Sequence, residues 1–228
     1  MRKLLIGIAA LVVLLVAADR ISLAVAENQI SGRLTSAYGL PHKPGVTITG
    51  FPFLTQVAAG DYRQIDVSAS QVPAGGATLH NLSVQLTGVH ASLSQVLGNG
   101  SSMVTADRAE GSAMVGFGTV DRRLPGRFRL HPDGKNLSVS GTLAVQGVHI
   151  PVYATVALGV SGSGISVTPV HVRVAGLPGL PVSAYSARLR VVVPLSALPL
   201  HLHVTSVRVT RNGLRITASA RHVQFART

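Results

Sequence analysis

Apolar and polar residues alternate with a period of two through most of the chain after residue 60. The alternation is clearest over residues 82–86, 152–158 and 214–218, where Val, Leu, Ile and Ala take every second position. Because successive side chains of a strand point to opposite faces, such segments form strands with one apolar face. Asp133-Gly134 and Asn212-Gly213 are typical of hairpin turns. The pattern predicts roughly ten to twelve strands in an antiparallel sheet.

A helical pattern occupies the region before these strands. From Asp19 to Tyr38, apolar residues recur at intervals of three and four, which predicts an amphipathic helix. Gly39 and Pro41 predict where it ends. The expected apolar stripe comprises Leu23, Ala26, Ile30, Leu34 and Ala37 or Tyr38, and we place Glu27, Asn28, Ser31 and Arg33 on the opposite side. A second, short helix is expected over residues 92–97.

A helix and strands that each have one apolar face must bury those faces against one another or against another part of the protein. We therefore predict a single-domain α+β fold, in which a long N-terminal helix is wrapped by a strongly curved antiparallel β-sheet. The composition agrees with a large apolar interior, since 46% of the residues are hydrophobic and 12% are charged. Such a chain either fills a large core or lines an apolar cavity.

The N-terminus has the form of an export signal. Met1-Arg2-Lys3 precedes an uncharged apolar segment, Leu4–Ala18, of fifteen residues. This segment is shorter than the roughly 20 residues that span a bilayer as a helix. Ala24-Val25-Ala26 offers a cleavage site, so residues 1–26 are either a cleaved signal or a retained anchor. Both alternatives place residues 27–228, the predicted β-rich domain, outside the cytoplasm.

The chain is strongly basic, with a formal net charge of +12. Removing residues 1–26 takes away three basic residues and one acidic residue, which leaves +10. A basic exported protein is attracted to anionic headgroups, phosphates or acidic wall polymers. Nucleic acid is a poor candidate partner, because the chain has an export signal and no dense basic run. The absence of cysteine excludes disulfides, thiolate metal sites and cysteine nucleophiles.

The sequence offers little catalytic chemistry. HExxH, GxSxG, Walker A and GxGxxG motifs do not occur. Asp107 and Glu110 are the nearest approach to a carboxylate pair, but they flank Arg108 in a polar stretch that is typical of a solvated loop. His201 and His203 would share one strand face, yet no third metal ligand lies near them in sequence. We predict a protein that is not an enzyme and has no metal ion or cofactor.

Arginines cluster twice along the chain. Arg122, Arg123, Arg127 and Arg129 form the first group, and Arg208, Arg211 and Arg215 flank the Asn212-Gly213 turn. A guanidinium group suits phosphate oxygens, so either group could hold a phosphate at a membrane surface. The alternative is that both are solvated sheet faces. We take the first group as the candidate headgroup site.

The segment Gly50–Gln56, Gly-Phe-Pro-Phe-Leu-Thr-Gln, is the most distinctive local feature. Two of the five Phe residues of the chain fall within three positions. Pro52 removes a backbone donor, so we expect the segment at a sheet edge or bulge. Its rings could pack a core or form an apolar lip. We take as candidate lipid-binding residues Phe51, Pro52, Phe53, Leu54, Ile30, Leu34 and Tyr62.

With Val46-x-Ile48-x-Gly50-Phe51-Pro52-Phe53-Leu54-Thr55-Gln56-Val57 and Gly60-x-Tyr62-x-x-Ile65-x-Val67, the chain resembles the actinobacterial LmeA-type phospholipid-binding family. The resemblance implies an exported, membrane-associated lipid binder that supports mannan elongation on phosphatidylinositol-based lipids. It also implies a fold like that of tubular lipid-binding domains, in which a curved sheet and a long helix enclose an apolar tunnel. It implies no catalytic residues.

We expect the protein to bind or carry phospholipid, anionic phospholipid above all, at the outer face of the cytoplasmic membrane. One alternative is an enzyme that acts on lipid-linked glycan through Asp107, Glu110 or Asp121. Another is a membrane-tethered scaffold for the mannan machinery. The sequence does not identify a protein partner.

Overall fold

The structure is a computed structural model, and it describes residues 2–74, 77–92, 104–121, 129–145, 148–161, 164–174, 191–194 and 203–225. The expected short helix over 92–97 lies outside the described residues apart from Ser92, as do Arg122, Arg123, Arg127 and His201.

One long helix, α1, spans Arg2–Tyr38, and at 1.5 Å per residue its 37 residues extend about 55 Å. The apolar leader and the amphipathic segment are therefore one continuous helix. It ends where the sequence predicts. Gly39 takes a left-handed conformation with φ of 57°, and the Leu40 N–H donates to the Thr35 carbonyl at 3.0 Å. Glycine suits this position because the left-handed conformation strains other residues.

The remaining described elements are two short helices, α2 (Phe53–Ala59) and α3 (Phe117–Asp121), and eleven strands. The strands form two sheets. The first has six strands in the order β1-β2-β3-β4-β11-β10, and the second has five in the order β5-β6-β7-β8-β9. The strands are β1 (Gly45–Thr49), β2 (Asp61–Ala74), β3 (Ala77–His90), β4 (Val104–Gly116), β5 (Arg129–Asp133), β6 (Asn136–Val145), β7 (Val148–Ser161), β8 (Gly164–Val174), β9 (Val191–Pro194), β10 (His203–Thr210) and β11 (Gly213–Phe225).

Both predicted hairpin turns are confirmed. Strands β5 and β6 pair antiparallel up to Asp133 opposite Asn136, with Gly134 in the turn at φ of 60°. Strands β10 and β11 pair up to Thr210 opposite Gly213. Every pair of strands whose register is described is antiparallel.

The chain divides into two compact units, each with its own core. The first takes its described residues from Met1–Ser70, Ser83–Glu110 and Ala220–Thr228. Its core contains Ile48, Phe53, Tyr62, Val89, Ala91 and Ala106. The second takes its described residues from Gln71–Leu82 and Gly111–Ser219. Its core contains Leu130, Leu137 and Val156, with Phe117 and Val120 of α3 packed against it.

The α+β class, the long N-terminal helix and the antiparallel strands are confirmed. The expectation of one sheet is corrected, because the described strands form two sheets. The chain leaves the first sheet through α3, whose apolar residues pack into the second unit, and the next strand pairs with β6 instead of β4. The strong curvature expected of the sheet is not confirmed.

Candidate functional site

The apolar stripe of α1 packs into the first unit as predicted. Leu23, Ala26 and Ile30 contact the core cluster that contains Phe53 and Tyr62. Three of the predicted site residues, Ile30, Phe53 and Tyr62, are thus brought together. Leu34 is half-buried further along the helix. Burial of these side chains holds the second half of α1 against the sheet.

Polar residues of α1 bind the edge strand β1 and the segments around it. The Ile48 N–H donates to Glu27 Oε1 at 2.8 Å, and Ser31 Oγ donates to the Pro44 carbonyl at 2.7 Å. Strand β1 is the first strand of its sheet, so the bond from Ile48 satisfies a group that an edge strand would leave unpaired. The prediction that Glu27 and Ser31 lie opposite the apolar stripe is wrong. They flank it, because residues four apart lie on the same side of a helix.

Asp19 of α1 caps the short helix α2. Pro52 at the N-cap position makes no side-chain capping bond, and the Leu54 N–H donates to Asp19 Oδ1 at 2.8 Å. Arg20 donates to the other carboxylate oxygen. Burial alone would raise the pKa of Asp19, but the hydrogen bonds from Leu54, Arg20 and Phe53 and the charge of Arg20 outweigh it and lower the pKa. The first charged residue after the apolar leader therefore fixes the position of α2.

The Gly50–Gln56 segment forms a turn followed by helix α2. Pro52 is exposed and lies between the end of edge strand β1 and the start of α2, so the expected strand edge or bulge is replaced by a helix start. Phe53 is 4% exposed, and its ring centroid lies 6.4 Å from that of Tyr62. Phe51 is 62% exposed, and the Arg20 guanidinium lies over its ring at 5.1 Å from the centroid. One phenylalanine packs the core and the other is available for contact.

An apolar pocket opens beside α2. Its volume is about 530 Å³, and its lining residues are Leu54, Val57, Ala58, Ala59, Gly60 and Ser92. Gly60 ends α2 in a left-handed conformation with φ of 69°, and its carbonyl accepts the Ala91 N–H at 2.9 Å. A side chain there would meet the Ala91 carbonyl at 3.2 Å, so glycine keeps this wall of the pocket close to the sheet.

Two polar side-chain atoms, one on α2 and one on the following strand, are buried without a hydrogen-bond partner among the described residues. They are Tyr62 Oη and Gln56 Nε2. Burial raises the pKa of the Tyr62 hydroxyl above its ordinary value, because the charged form would lose its hydration. The Gln56 Oε1 atom accepts the Arg63 N–H at 3.0 Å. This corner thus combines an apolar pocket with few polar groups, which suits an apolar ligand better than catalysis.

The candidate arginines are described only in part. Arg129 is exposed on β5, and the other three of its group lie outside the described residues. In the second group, Arg208 and Arg215 occupy directly opposite positions on β10 and β11. Both are exposed, as is Arg211 in the turn. Like charges directly opposite one another repel, so this hairpin carries a local concentration of positive charge at a small cost in stability.

The described carboxylates that an enzyme could use contact other protein groups. Asp61 and Asp107 lie 3.6 and 3.7 Å from the two ring nitrogens of His90. Glu110 lies 3.6 Å from Arg108, and Asp121 accepts the Leu130 N–H at 3.0 Å. Over the described ranges, no three His, Asp or Glu side chains gather as metal ligands would. His203 is exposed on β10.

The apolar half of α1 is exposed. Its large side chains from Leu4 to Val16 are 40–69% exposed. The helix is long and apolar enough to cross a membrane, a test that signal sequences also pass. Exposed apolar side chains continue on the unpacked face at Ile21 (65%) and Val25 (51%).

The sequence analysis missed four residues that shape this corner. Asp19 and Arg20 hold α2 and Phe51, and Val57 and Gly60 line the pocket. A usable signal was present for Asp19. It begins a series with a spacing of four (Asp19, Leu23, Glu27, Ser31), which places polar residues beside the apolar stripe. Val57 and Gly60 belong to the motif that carries the family resemblance, but nothing in the motif marks them as lining a pocket, because they become pocket residues only through the folding of α2.

Comparison with known proteins gives one match. A family model described as LmeA-like phospholipid-binding matches residues 17–219, which is most of the chain. Neither the curated proteins nor the solved structures gave a match. The matched range contains the packed part of α1, the Gly50–Gln56 segment and the pocket beside α2. This chain therefore belongs to the LmeA-like phospholipid-binding family.

Proposed function

We propose that the protein is a membrane-anchored carrier that holds phospholipid acyl chains in the pocket beside α2. The observation that carries this proposal is the apolar pocket itself, about 530 Å³ in volume and lined by Leu54, Val57 and Ala58 with their neighbours. Family membership supports phospholipid as the ligand. Each CH₂ group of an acyl chain that is kept out of water by such a site is stabilised by about 0.8 kcal/mol relative to water.

The anchor in this proposal is the apolar N-terminal helix, retained after export. Cleavage after Ala26 would remove Asp19, which caps α2, and Leu23 and Ala26, which pack on the core. The family match also begins at residue 17, before the possible cleavage site. These facts support a boundary near residue 18 instead of residue 26, with the lipid-binding part held at the outer face of the membrane.

Electrostatics supports anionic phospholipid as the preferred class. The net charge is +12, and the paired Arg208 and Arg215 are exposed. Each Lys or Arg near an anionic membrane surface contributes about 1 kcal/mol. Within the cell envelope, the resemblance supports a role with phosphatidylinositol-linked mannolipids, and the protein would present or carry lipid for their synthesis.

A binding role agrees better with the site than a catalytic role does. Asp107, Glu110 and Asp121, which the enzyme alternative would use, each contact another protein group. None of them lines the pocket. The pocket residues are apolar or small, and they offer surface for acyl chains instead of reactive groups.

Native mass spectrometry of the full chain, purified in mild detergent, tests this function. We expect co-purified phospholipid, and we expect the pocket-filling variant Ala58→Trp to lose most of it. Ala37→Trp is the matched control, because Ala37 is an exposed helical alanine outside the pocket. Absence of lipid from the unchanged protein, or equal occupancy in the two variants, would contradict the proposal.

A further inference from the structure

Phe51 and Leu54 contact the point where the apolar helix ends. The uncharged segment of α1 ends at Ala18. The next residue, Asp19, accepts the Leu54 N–H at 2.8 Å, and Arg20 lies over the Phe51 ring at 5.1 Å. Since a helix rises 1.5 Å per residue, both apolar side chains sit within about one turn of the level at which α1 would leave the hydrocarbon layer.

Both side chains are unusually accessible for their type. Phe51 is 62% exposed and Leu54 is 41% exposed. On the same stretch of α1, Ile21 and Val25 also present apolar surface. Interfacial segments combine such apolar side chains with a basic residue at the level of the headgroups. Arg20 meets this requirement, since an arginine can bury its stem and keep its charge among phosphates.

Leu54 also lines the pocket. One of the two residues that we place at the membrane surface is therefore also part of the lipid site, and α2 connects the two. A lipid that enters beside Leu54 would pass from the bilayer into the pocket without exposing its acyl chains to water. Exposure of the chains is the main cost of lipid extraction, because each CH₂ group in water costs about 0.8 kcal/mol.

We propose that Phe51 and Leu54 form a membrane-contacting lip, which inserts into the interface of the outer leaflet and admits glycerophospholipid to the pocket. The lip rests on the proposed function for the pocket and on the retained anchor. The lip proposal adds a separate statement, which is that the start of α2 faces the bilayer. The occupant of this surface is the bilayer itself.

The absence of cysteine allows a direct test, since each single-cysteine variant carries one label. The full chain with Phe51→Cys, Leu54→Cys or Tyr38→Cys is labelled with an environment-sensitive fluorophore and reconstituted in phosphatidylcholine–phosphatidylglycerol vesicles. Tyr38 is the matched control because it is 64% exposed on the same helix as the anchor. It lies about 28 Å further along the axis than Asp19.

We expect lipids that carry a quencher near the headgroup to quench the probes at positions 51 and 54 several-fold more than the probe at 38. Equal quenching at all three positions would overturn the lip. If this surface bound a protein partner instead of the bilayer, the probes at 51 and 54 would remain in water in pure lipid vesicles. That result would also contradict the lip. Lipid occupancy of the unlabelled protein is measured in parallel. Failure of the lip proposal can therefore be distinguished from failure of the lipid-binding proposal.

The rate of lipid extraction gives a functional readout. The variant Phe51→Ser should take up lipid from vesicles roughly tenfold more slowly, since this apolar side chain, which is not among the residues that line the pocket, no longer enters the interface. Loading from detergent micelles, which needs no membrane contact, should be much less affected. Tyr38→Ser should change neither rate. An equal loss in both assays would assign Phe51 to lipid binding in the pocket and would overturn the lip.

Discussion

At the scale of single residues, Phe51 and Phe53 belong to the same short motif but have very different environments. They are two positions apart, yet Phe53 is 4% exposed and Phe51 is 62% exposed. Two contacts from α1 separate them: Asp19 fixes the start of α2, and Arg20 lies over the Phe51 ring. Phe53 packs the core, which is one of the two alternatives that the sequence left open, and Phe51 is the ring that we propose for the apolar lip.

This division predicts different effects for the two alanine variants. Phe53→Ala should destabilise the protein by about 3–5 kcal/mol, because it leaves a cavity beside Tyr62 in the core of the first unit. Phe51→Ala should cost less than about 1 kcal/mol, because its ring is largely in contact with solvent. Thermal unfolding of both variants in the same detergent measures the difference. Similar losses would show that Phe51 is also a core residue.

At the scale of elements, the sequence predicts what depends on local periodicity and turn chemistry. The helix end at Gly39, both hairpins and the apolar stripe of α1 are of this kind. Helix α2 was missed because its short segment has no capping side chain of its own, and the cap comes from Asp19, 35 residues away from Leu54. The division of the strands into two sheets depends on long-range pairing, which period-two patterns do not specify.

The continuity of α1 predicts where the chain can be shortened. A protein that begins at residue 17 keeps Asp19, Leu23 and Ala26, and it should unfold cooperatively at nearly the temperature of the full chain. A protein that begins at residue 27 loses all three, and the missing Leu23 alone should cost about 2 kcal/mol or more. Calorimetry of both truncations measures this. Equal melting temperatures would contradict the packed role of residues 19–26 and would favour a cleaved signal.

At the scale of the whole molecule, positive charge and exposed apolar surface are the two properties on which the proposed membrane contact depends. The net charge is +12, and the apolar half of α1 is exposed over its length. In the function that we propose, long-range attraction would bring the basic protein to an anionic surface, and short-range apolar contacts would then hold lipid. Composition and a motif point to phospholipid binding, which is the part of the function that family membership supports. They do not locate the pocket, since most of its lining residues are ordinary apolar residues of one short helix.

Repulsion between paired arginines gives a prediction at this scale. Arg208→Gln with Arg215→Gln should leave stability unchanged or raise it by about 0.2–1 kcal/mol, since the two charges lie directly opposite. Binding of the protein that begins at residue 17 to anionic vesicles should weaken, and more so at low salt, where screening is least. Arg63→Gln with Arg173→Gln removes the same charge from two other exposed positions. Equal weakening in both pairs would mean that net charge alone, without a local site, governs attraction.

Photo-crosslinking tests the central claim, that acyl chains lie in the pocket beside α2. The full chain is loaded with a phospholipid that carries a photoreactive group in one acyl chain, irradiated, digested and mapped by mass spectrometry. The account predicts crosslinks concentrated in residues 54–60 and at Ser92, which excess unlabelled phospholipid removes. The claim would be contradicted if the crosslinks were spread over other parts of the chain and unlabelled phospholipid reduced none of those on α2.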